Sequence, residues 1–427
     1  MLPQNSLAQT PKTAIPARKF LDSIGANSSI SRRGETLEKT IEAVKYTGLG
    51  WIRAGYEGDI PIEDLIKLHQ ATGLKFSYGL GSGGNDIPRL LAGARRLAAE
   101  GALVAVEGNN EPNNWGVTYQ GEKGGGNEPS WMAVAKLQRD LYAAVKSDPA
   151  LKTYPVWSIS EAGAMRDNVG LQYLTIPPGA KTLLPPGTQF ADFVNVHNYI
   201  YHPNSSQPMD NKCWNAADPT SACKVDGLYG NHGVTWAKKF PGYTEKELIT
   251  LPKVTTETGT TIGGPITEDL HGKNLVNMYL AQFARGWSYT DVYILRDRSD
   301  EGGNQKFGFF APDYTPRLAA KYLHNLTTAL ADKGTVKTPS KLAYSIPNMP
   351  ATVHDLLLQK SDGTFCLVLW GEKLSGSDMI TLRLGKPFRS VAVYDVTSEE
   401  KPLVAVQKVD TLALTLSDHP LVVELKV

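Results

Sequence analysis

The stretch VEGNNEPNNW at 106–115 ends an apolar run in a carboxylate, Glu111, held between Asn110 and Pro112. A second acid, Glu257, closes the run LPKVTTETG at 251–259. Arg53 sits in LGWIRAGY (49–56), and His197, Asn198 and Tyr199 end ADFVNVHNY (191–199). Each has a bland reading alone: a solvated loop acid, a salt-bridge partner, a satisfied core histidine. Together they suit paired-carboxylate chemistry. One acid, protonated, gives its proton to a departing oxygen. The other, ionised, attacks carbon or activates water. Breaking a glycosidic bond requires this division of labour.

The neighbouring residues fit supporting roles. Arg53 can hold Glu257 ionised, because a nearby cation favours the charged form. Asn110 can hydrogen-bond a sugar hydroxyl, and His197 and Tyr199 can fix a rotamer or carry protons. Trp115 and Trp157 offer flat apolar faces on which sugar rings stack. Glu107, four residues before Glu111, is read as structural, and Glu161 as a further substrate contact. Other chemistries are poorly served. No HxH or HxxxH pair supplies metal-ligand spacing, there is no GxSxG elbow, and GLGSGG (79–84) lacks the spacing of a phosphate loop. No metal and no organic cofactor is expected.

These residues need elements that aim them at one place. Apolar runs at 20–27, 49–56, 74–80, 102–109, 154–160, 191–199, 251–259 and 291–297 predict eight strands. Most are followed by apolar residues at helical spacing, such as Ile87, Leu90, Leu91, Ala94 and Leu97. Strands flanked by helices must be parallel, and eight units close into a (β/α)8 barrel, an α/β fold with its site at the C-terminal strand ends. Glu111, Glu257, Arg53, His197, Tyr199 and, on an eighth strand at 291–297, Arg296 all fall at such ends. From 335 onward, turn signals such as SDG (361–363) separate runs like FCLVLW and LVVELKV. That pattern predicts a small C-terminal antiparallel β-sandwich over 335–427. The barrel is placed at 18–334, with an insertion at 200–250.

The 427 residues are 41% hydrophobic and 20% charged, with a net charge of +1. The chain can bury a core, and nothing steers it toward nucleic acid or an anionic membrane. No apolar run is long enough to span a bilayer. Residues 1–17 are polar and Pro-bearing, and read as a disordered leader left after processing, hence a secreted protein. Cys213 and Cys223, in a Pro- and Asn-rich loop, suit a disulfide and an oxidising compartment. Cys366 lies in an apolar strand pattern and reads as core. Oligomeric state is not legible.

Asn110–Glu111–Pro112 and Glu257 in TTETG resemble the paired glutamates of the clan A retaining glycoside hydrolases. Arg53, His197 and Tyr199 match that clan's strand-two and strand-six polar residues. The tail at 307–330 resembles the segment after strand eight in family 39 and related cellulase-like members. The resemblance implies a barrel with a small β-sandwich, and double displacement on a poly- or oligosaccharide. Glu257 would be the nucleophile, and Glu111 the acid/base, neutral in the free enzyme. It also implies a carboxyl separation of about 5–5.5 Å. One departure stands out: many clan members end strand eight with a Trp under the sugar, whereas YILRDRSD offers Leu295, Arg296 and Asp297. Arg296 is therefore expected to meet an acidic or unusually substituted sugar. Two other readings remain open: a carbohydrate-binding protein on a disarmed barrel, and a transglycosylase using the same residues.

Overall fold

The computed structural model describes residues 10–57, 59–128, 130–160, 184, 188–197, 199, 252–264, 266–284, 286–300, 305–350, 352–371 and 376–426. Cys213, Cys223, Asn198, Glu161 and the expected insertion lie outside these residues. The described residues fall into two units. One holds 22–320, and the other holds 10–21 with 321–426.

The first unit is a parallel barrel. Its strands are β1 (Ile24–Asn27), β2 (Trp51–Ala54), β3 (Lys75–Gly79), β4 (Leu103–Glu107), β5 (Val156–Trp157), β6 (Val194–His197), β7 (Lys253–Thr258) and β8 (Trp287–Val292). They hydrogen-bond in the order β6-β7-β8-β1-β2-β3-β4-β5. A parallel bridge between Trp157 and Phe193 brings the two ends of that order together. Helices follow the strands as the 3.6-residue periodicity requires: α1 (Leu37–Thr47), α2 (Ile62–Thr72), α3 (Ile87–Ala99), α4 (Met132–Ser147) and α5 (Glu268–Ala284). Their ends are locally encoded. Thr36 and Asp86 cap α1 and α3 by accepting from Lys39 N and Arg89 N, and Gly48 ends α1 at φ 68°. None of the described helices is long and apolar enough to cross a membrane.

Alternation along the strands stacks the interior in two layers. The lower layer is apolar: Trp51, Ala105, Trp157 and Val254, with Tyr289 packed on them. Two residues further along the same strands come Arg53, Glu107, Thr256 and Asp291, which are all buried. A polar layer therefore rests on an aromatic floor. Gly79 makes room for it, since a Cβ there would lie 2.9 Å from that of Glu107.

The eighth strand departs from expectation. It spans 287–292, and the apolar run that suggested 291–297 follows it. Tyr293, Ile294 and Leu295 are buried regardless, at 9%, 2% and 0% exposure. Burial alone gave that run the look of a strand, while the strand itself, WSYTDV, carries polar residues into the barrel.

The second unit contains two larger sheets. Tyr344–Ser345, Asp378–Phe388 and Val409–Leu416 form one. Val404–Val406, Ser390–Asp395, Pro420–Lys426, Phe365–Gly371, Val353–Gln359 and Ile15–Pro16 form the other. Inward residues of both, such as Leu367, Leu369, Ile380, Leu382, Leu412 and Val423, make one core. Cys366, on the same strand as Leu367 but outside that cluster, is buried as a free thiol and pushed up to about 12 by burial. The leader expected over 1–17 needs correction from residue 12 on. Lys12–Thr13 pairs antiparallel with Lys341–Leu342, and Ile15–Pro16 pairs parallel with Val353–Gln359. A polar segment of low complexity in hydropathy is ordered here by strand pairing, which hydropathy does not report.

Candidate active site

Arg53, at the end of β2, is 1% exposed and forms the hub of the site. Its Nη2 lies 2.8 Å from Glu107 Oε1, and its Nε donates to both Glu107 oxygens at 3.0 and 3.2 Å. Its Nη1 donates to Glu257 Oε1 at 2.7 Å, and its Nη2 also donates to Asn110 Oδ1 at 2.9 Å. The fork shape of guanidinium allows one side chain to serve three partners at the ends of two strands, β4 and β7. Burial alone would lower the Arg53 pKa, but Glu107 and Glu257 outweigh it and hold the cation firmly protonated.

β7 delivers two consecutive side chains to the interior. Its ladder with β8 shifts register between Thr255 and Thr258, as does the β6 ladder at His197. Such irregularities re-aim side chains at strand ends. Thr256 Oγ1 reaches Glu107, and Glu257, the next residue, reaches Arg53. Tyr199 donates its hydroxyl to Glu257 Oε2 at 2.8 Å. Burial pushes the Glu257 carboxyl up, the Glu111 charge adds to this, and His197, Arg53 and Tyr199 pull it down. Both Glu257 oxygens face donors, Arg53 Nη1 on Oε1 and the Tyr199 hydroxyl on Oε2. The ionised form is the one this geometry accommodates.

Glu111 follows β4 on a tight turn. Its own φ is 39°, in the left-handed region that a side chain with a Cβ seldom adopts. Backbone outliers of this kind gather at sites where position matters more than local energy. Asn114 donates to Glu111 Oε2 at 2.7 Å, and His197 Nδ1 lies 2.8 Å from Glu111 Oε1. Burial pushes the His197 imidazole down to about 4, with Glu257 and Glu107 opposing and Arg53 assisting, so the ring is neutral near neutral pH. One donor atom each from Glu111, His197 and Glu257 lies within 4.8 Å of the other two. Two carboxylates and an imidazole can face a cation, but Arg53 already places a positive charge against Glu257.

The structure thus brings Arg53, Asn110, Glu111, His197, Tyr199 and Glu257 together. Glu107, expected to be structural, is the fully buried partner of Arg53. Two expected contacts are placed differently. Trp157 is 0% exposed and stacks edge-on with Trp51 in the aromatic floor, so it has no face for a sugar. Its strand ends one layer lower than the spacing suggested. Arg296 donates to Pro312 O and Arg33 O and lies over the Tyr314 ring, so the loops around it engage its guanidinium. This follows from β8 ending at Val292, five residues earlier than expected. Trp115 is 49% exposed on the turn after Glu111.

Several residues at the site carried no strong sequence signal. Tyr293, directly after β8, joins Tyr199 and Phe307 in an edge-to-face cluster beside Glu257. Arg53 lies over the Tyr56 ring at 4.5 Å, and the buried Tyr56 hydroxyl has no hydrogen-bond partner. Asn195 and Thr256 complete the shell around Glu107. The polar residues at alternate positions of VNVH and KVTTET were the available clue.

No protein-family model matches the chain, and no curated protein matches it in sequence. Solved structures do match in fold. A family 39 glycoside hydrolase from Bacteroides cellulosilyticus WH2 superposes with a TM-score of 0.59 at 14% identity, over 96% of this chain and 82% of that one. A glucosidase from Croceicoccus marinus gives 0.59 at 10% identity, over 98% of each chain. A family 51 arabinofuranosidase from Xanthomonas axonopodis pv. citri gives 0.55 at 12%, over 99% of this chain and 98% of that one. The resemblance to clan A hydrolases of the family 39 kind, drawn from short motifs, is met by a likeness in the fold of both units.

Proposed function

We propose that this protein is a retaining glycoside hydrolase acting on a poly- or oligosaccharide. The observation that carries the reading is the facing pair: Glu111 and Glu257 offer oxygens within 4.8 Å of each other. Two carboxyls that approach this closely can both reach one anomeric carbon and its departing oxygen, as double displacement requires. The two carboxyls also differ in surroundings. Glu257 is clamped by Arg53 and Tyr199. Glu111 faces a neutral imidazole and an amide. The names of the similar solved structures, all glycoside-cleaving, support the same class.

In the first step a Glu257 oxygen attacks the anomeric carbon while Glu111 gives its proton to the departing oxygen. A glycosyl ester on Glu257 results. In the second step Glu111, now a carboxylate, takes a proton from water, whose oxygen attacks the anomeric carbon and releases Glu257. Arg53 and Tyr199 hold the nucleophile in one rotamer throughout. Secretion belongs to this proposal and rests on leader composition and cysteine placement alone.

The test is mass spectrometry after exposure to a panel of 2-fluoro glycosides. A stable adduct on Glu257 is expected, and Glu257→Gln should abolish turnover while keeping sugar binding. Sugar binding by the wild type without adduct or turnover would favour a binding protein instead. Products extended by an added acceptor sugar would favour a transglycosylase.

A further inference from the structure

We propose that Thr256 is a positioning residue that fixes the tautomer of His197 and thereby keeps the catalytic proton on Glu111. The inference rests on Glu111 being the acid of the proposed reaction, and it concerns what sets the acid's protonation.

The argument follows the protons. Thr256 Oγ1 lies 2.8 Å from Glu107 Oε1, 3.1 Å from Asn195 Oδ1 and 3.1 Å from His197 Nε2. Glu107 is a carboxylate paired with Arg53 and can only accept. Asn195 Nδ2 donates to Glu107 Oε1 at 3.1 Å, which turns its carbonyl oxygen, another acceptor, toward Thr256. The single hydroxyl proton therefore goes to Glu107 or to Asn195, and only oxygen lone pairs face the ring. Nε2 must then carry hydrogen. A neutral imidazole has one N–H, so Nδ1 presents a lone pair to Glu111 Oε1 at 2.8 Å. Two lone pairs at that distance repel, so a proton must lie between them. With Nε2 already protonated, keeping the ring neutral places that proton on the carboxyl.

Every charged group around the ring enters this balance. Glu111 faces Nδ1, Glu257 Oε2 lies 3.5 Å from the same nitrogen, and Arg53 and Glu107 act from the layer beneath. Burial and Arg53 oppose a charged ring, while Glu257 and Glu107 favour one. Burial is the largest of these effects, and it pushes the imidazole down to about 4. The Tyr199 hydroxyl is committed to Glu257, and Asn114 holds the other Glu111 oxygen. Oε1 is thus the oxygen that faces the ring and shares the proton with it. Without the Thr256 hydroxyl the ring is free to take the Nδ1–H form. It would then donate to Glu111, stabilise the carboxylate and leave less of the acid protonated.

The full-length protein labelled with 15N-histidine tests this directly. The wild type should show His197 as the Nε2–H tautomer, assigned by loss of its signals in His197→Gln. Thr256→Val should convert it to Nδ1–H, and Thr256→Ser should not. In kinetics, Thr256→Val should move the basic limb of kcat/KM down by about one pH unit for alkyl or sugar leaving groups, the effect of one net hydrogen bond. A dinitrophenyl leaving group needs no proton and should show no shift, and Thr256→Ser should behave as wild type. An Nδ1–H tautomer in the wild type overturns the proposal even if Thr256→Val fails to fold. So does an unmoved basic limb in folded Thr256→Val. A wild type that cleaves no glycoside but shows the Nε2–H tautomer would overturn the enzymatic reading and leave the tautomer lock standing.

Discussion

Trp115 and Trp157 are the same side chain with opposite tasks. Trp157 fills the barrel floor, with ring centroids 5.4 Å from Trp51 and 5.3 Å from Tyr289. Removing it empties space that neighbouring strands cannot close. Trp157→Ala should cost about 3–5 kcal/mol in denaturant titration. Trp115 is half exposed, and its amide donates to Glu111 O at 2.9 Å, which keeps it on the turn that carries the acid. In the proposed reaction, the turn that carries the acid is expected to border the departing group. Trp115→Ala should raise KM for oligosaccharides up to about tenfold with kcat nearly unchanged, as expected when a stacking contact serves ground and transition states equally. Equal losses of stability in the two variants would show that Trp115 is packing after all.

At the scale of elements, β7 and β8 decide the site. β8 also carries Asp291, which is fully buried below the catalytic layer with Asn27 Nδ2 on one oxygen. The other oxygen has no partner. Burial pushes the Asp291 carboxyl well up, Arg53 opposes, and Glu107 and Glu257 add to the rise. The folded pKa therefore lies above the unfolded value of about 3.9. Stability linked to this group is complete below that value and declines as pH rises and the unfolded chain ionises. Asp291→Asn removes the ionisation. It should raise Tm at pH 7 and leave it nearly unchanged near pH 3, as read by scanning calorimetry. A variant destabilised equally at both pH values would mean that the added N–H, rather than charge, governs the position.

At the scale of the whole molecule, acid and base act on different parts of the chain. In the second unit His419 lies between Asp418, 2.9 Å from Nδ1, and Asp395, 3.3 Å from Nε2. Burial would lower it, but the two carboxylates push it up to about 9, and Asp395 in turn is held down to about 2 despite its burial. The His419 contribution is complete below its unfolded value of about 6.5 and fades as pH rises through about 9. The Asp395 contribution is complete above about 3.9 and fades as pH falls through about 2. His419→Gln should therefore lower the melting transition of this unit most at pH 5–6, and the difference should shrink above about pH 9. A gap that stayed constant from pH 5 to 10 would point to lost packing.

Local pattern in the sequence determined the repeat of strands and helices, the change to an all-β unit, and the residues richest in chemistry. Periodicities of 2 and 3.6 are written along the chain and need no partner to be read. Only the tertiary structure decided which polar groups meet. Arg53 joins Glu107 and Glu257 across separations of 54 and 204 positions. A register shift turns Thr256 and Glu257 both inward, and Tyr293 rather than Arg296 follows the eighth strand. Pairing likewise drew Ile15–Pro16 into a sheet at the far end of the sequence. Whether a side chain faces the floor, the pocket or a neighbouring loop depends on register and bulges. Those are set between strands distant in sequence, where hydropathy along one segment carries no information.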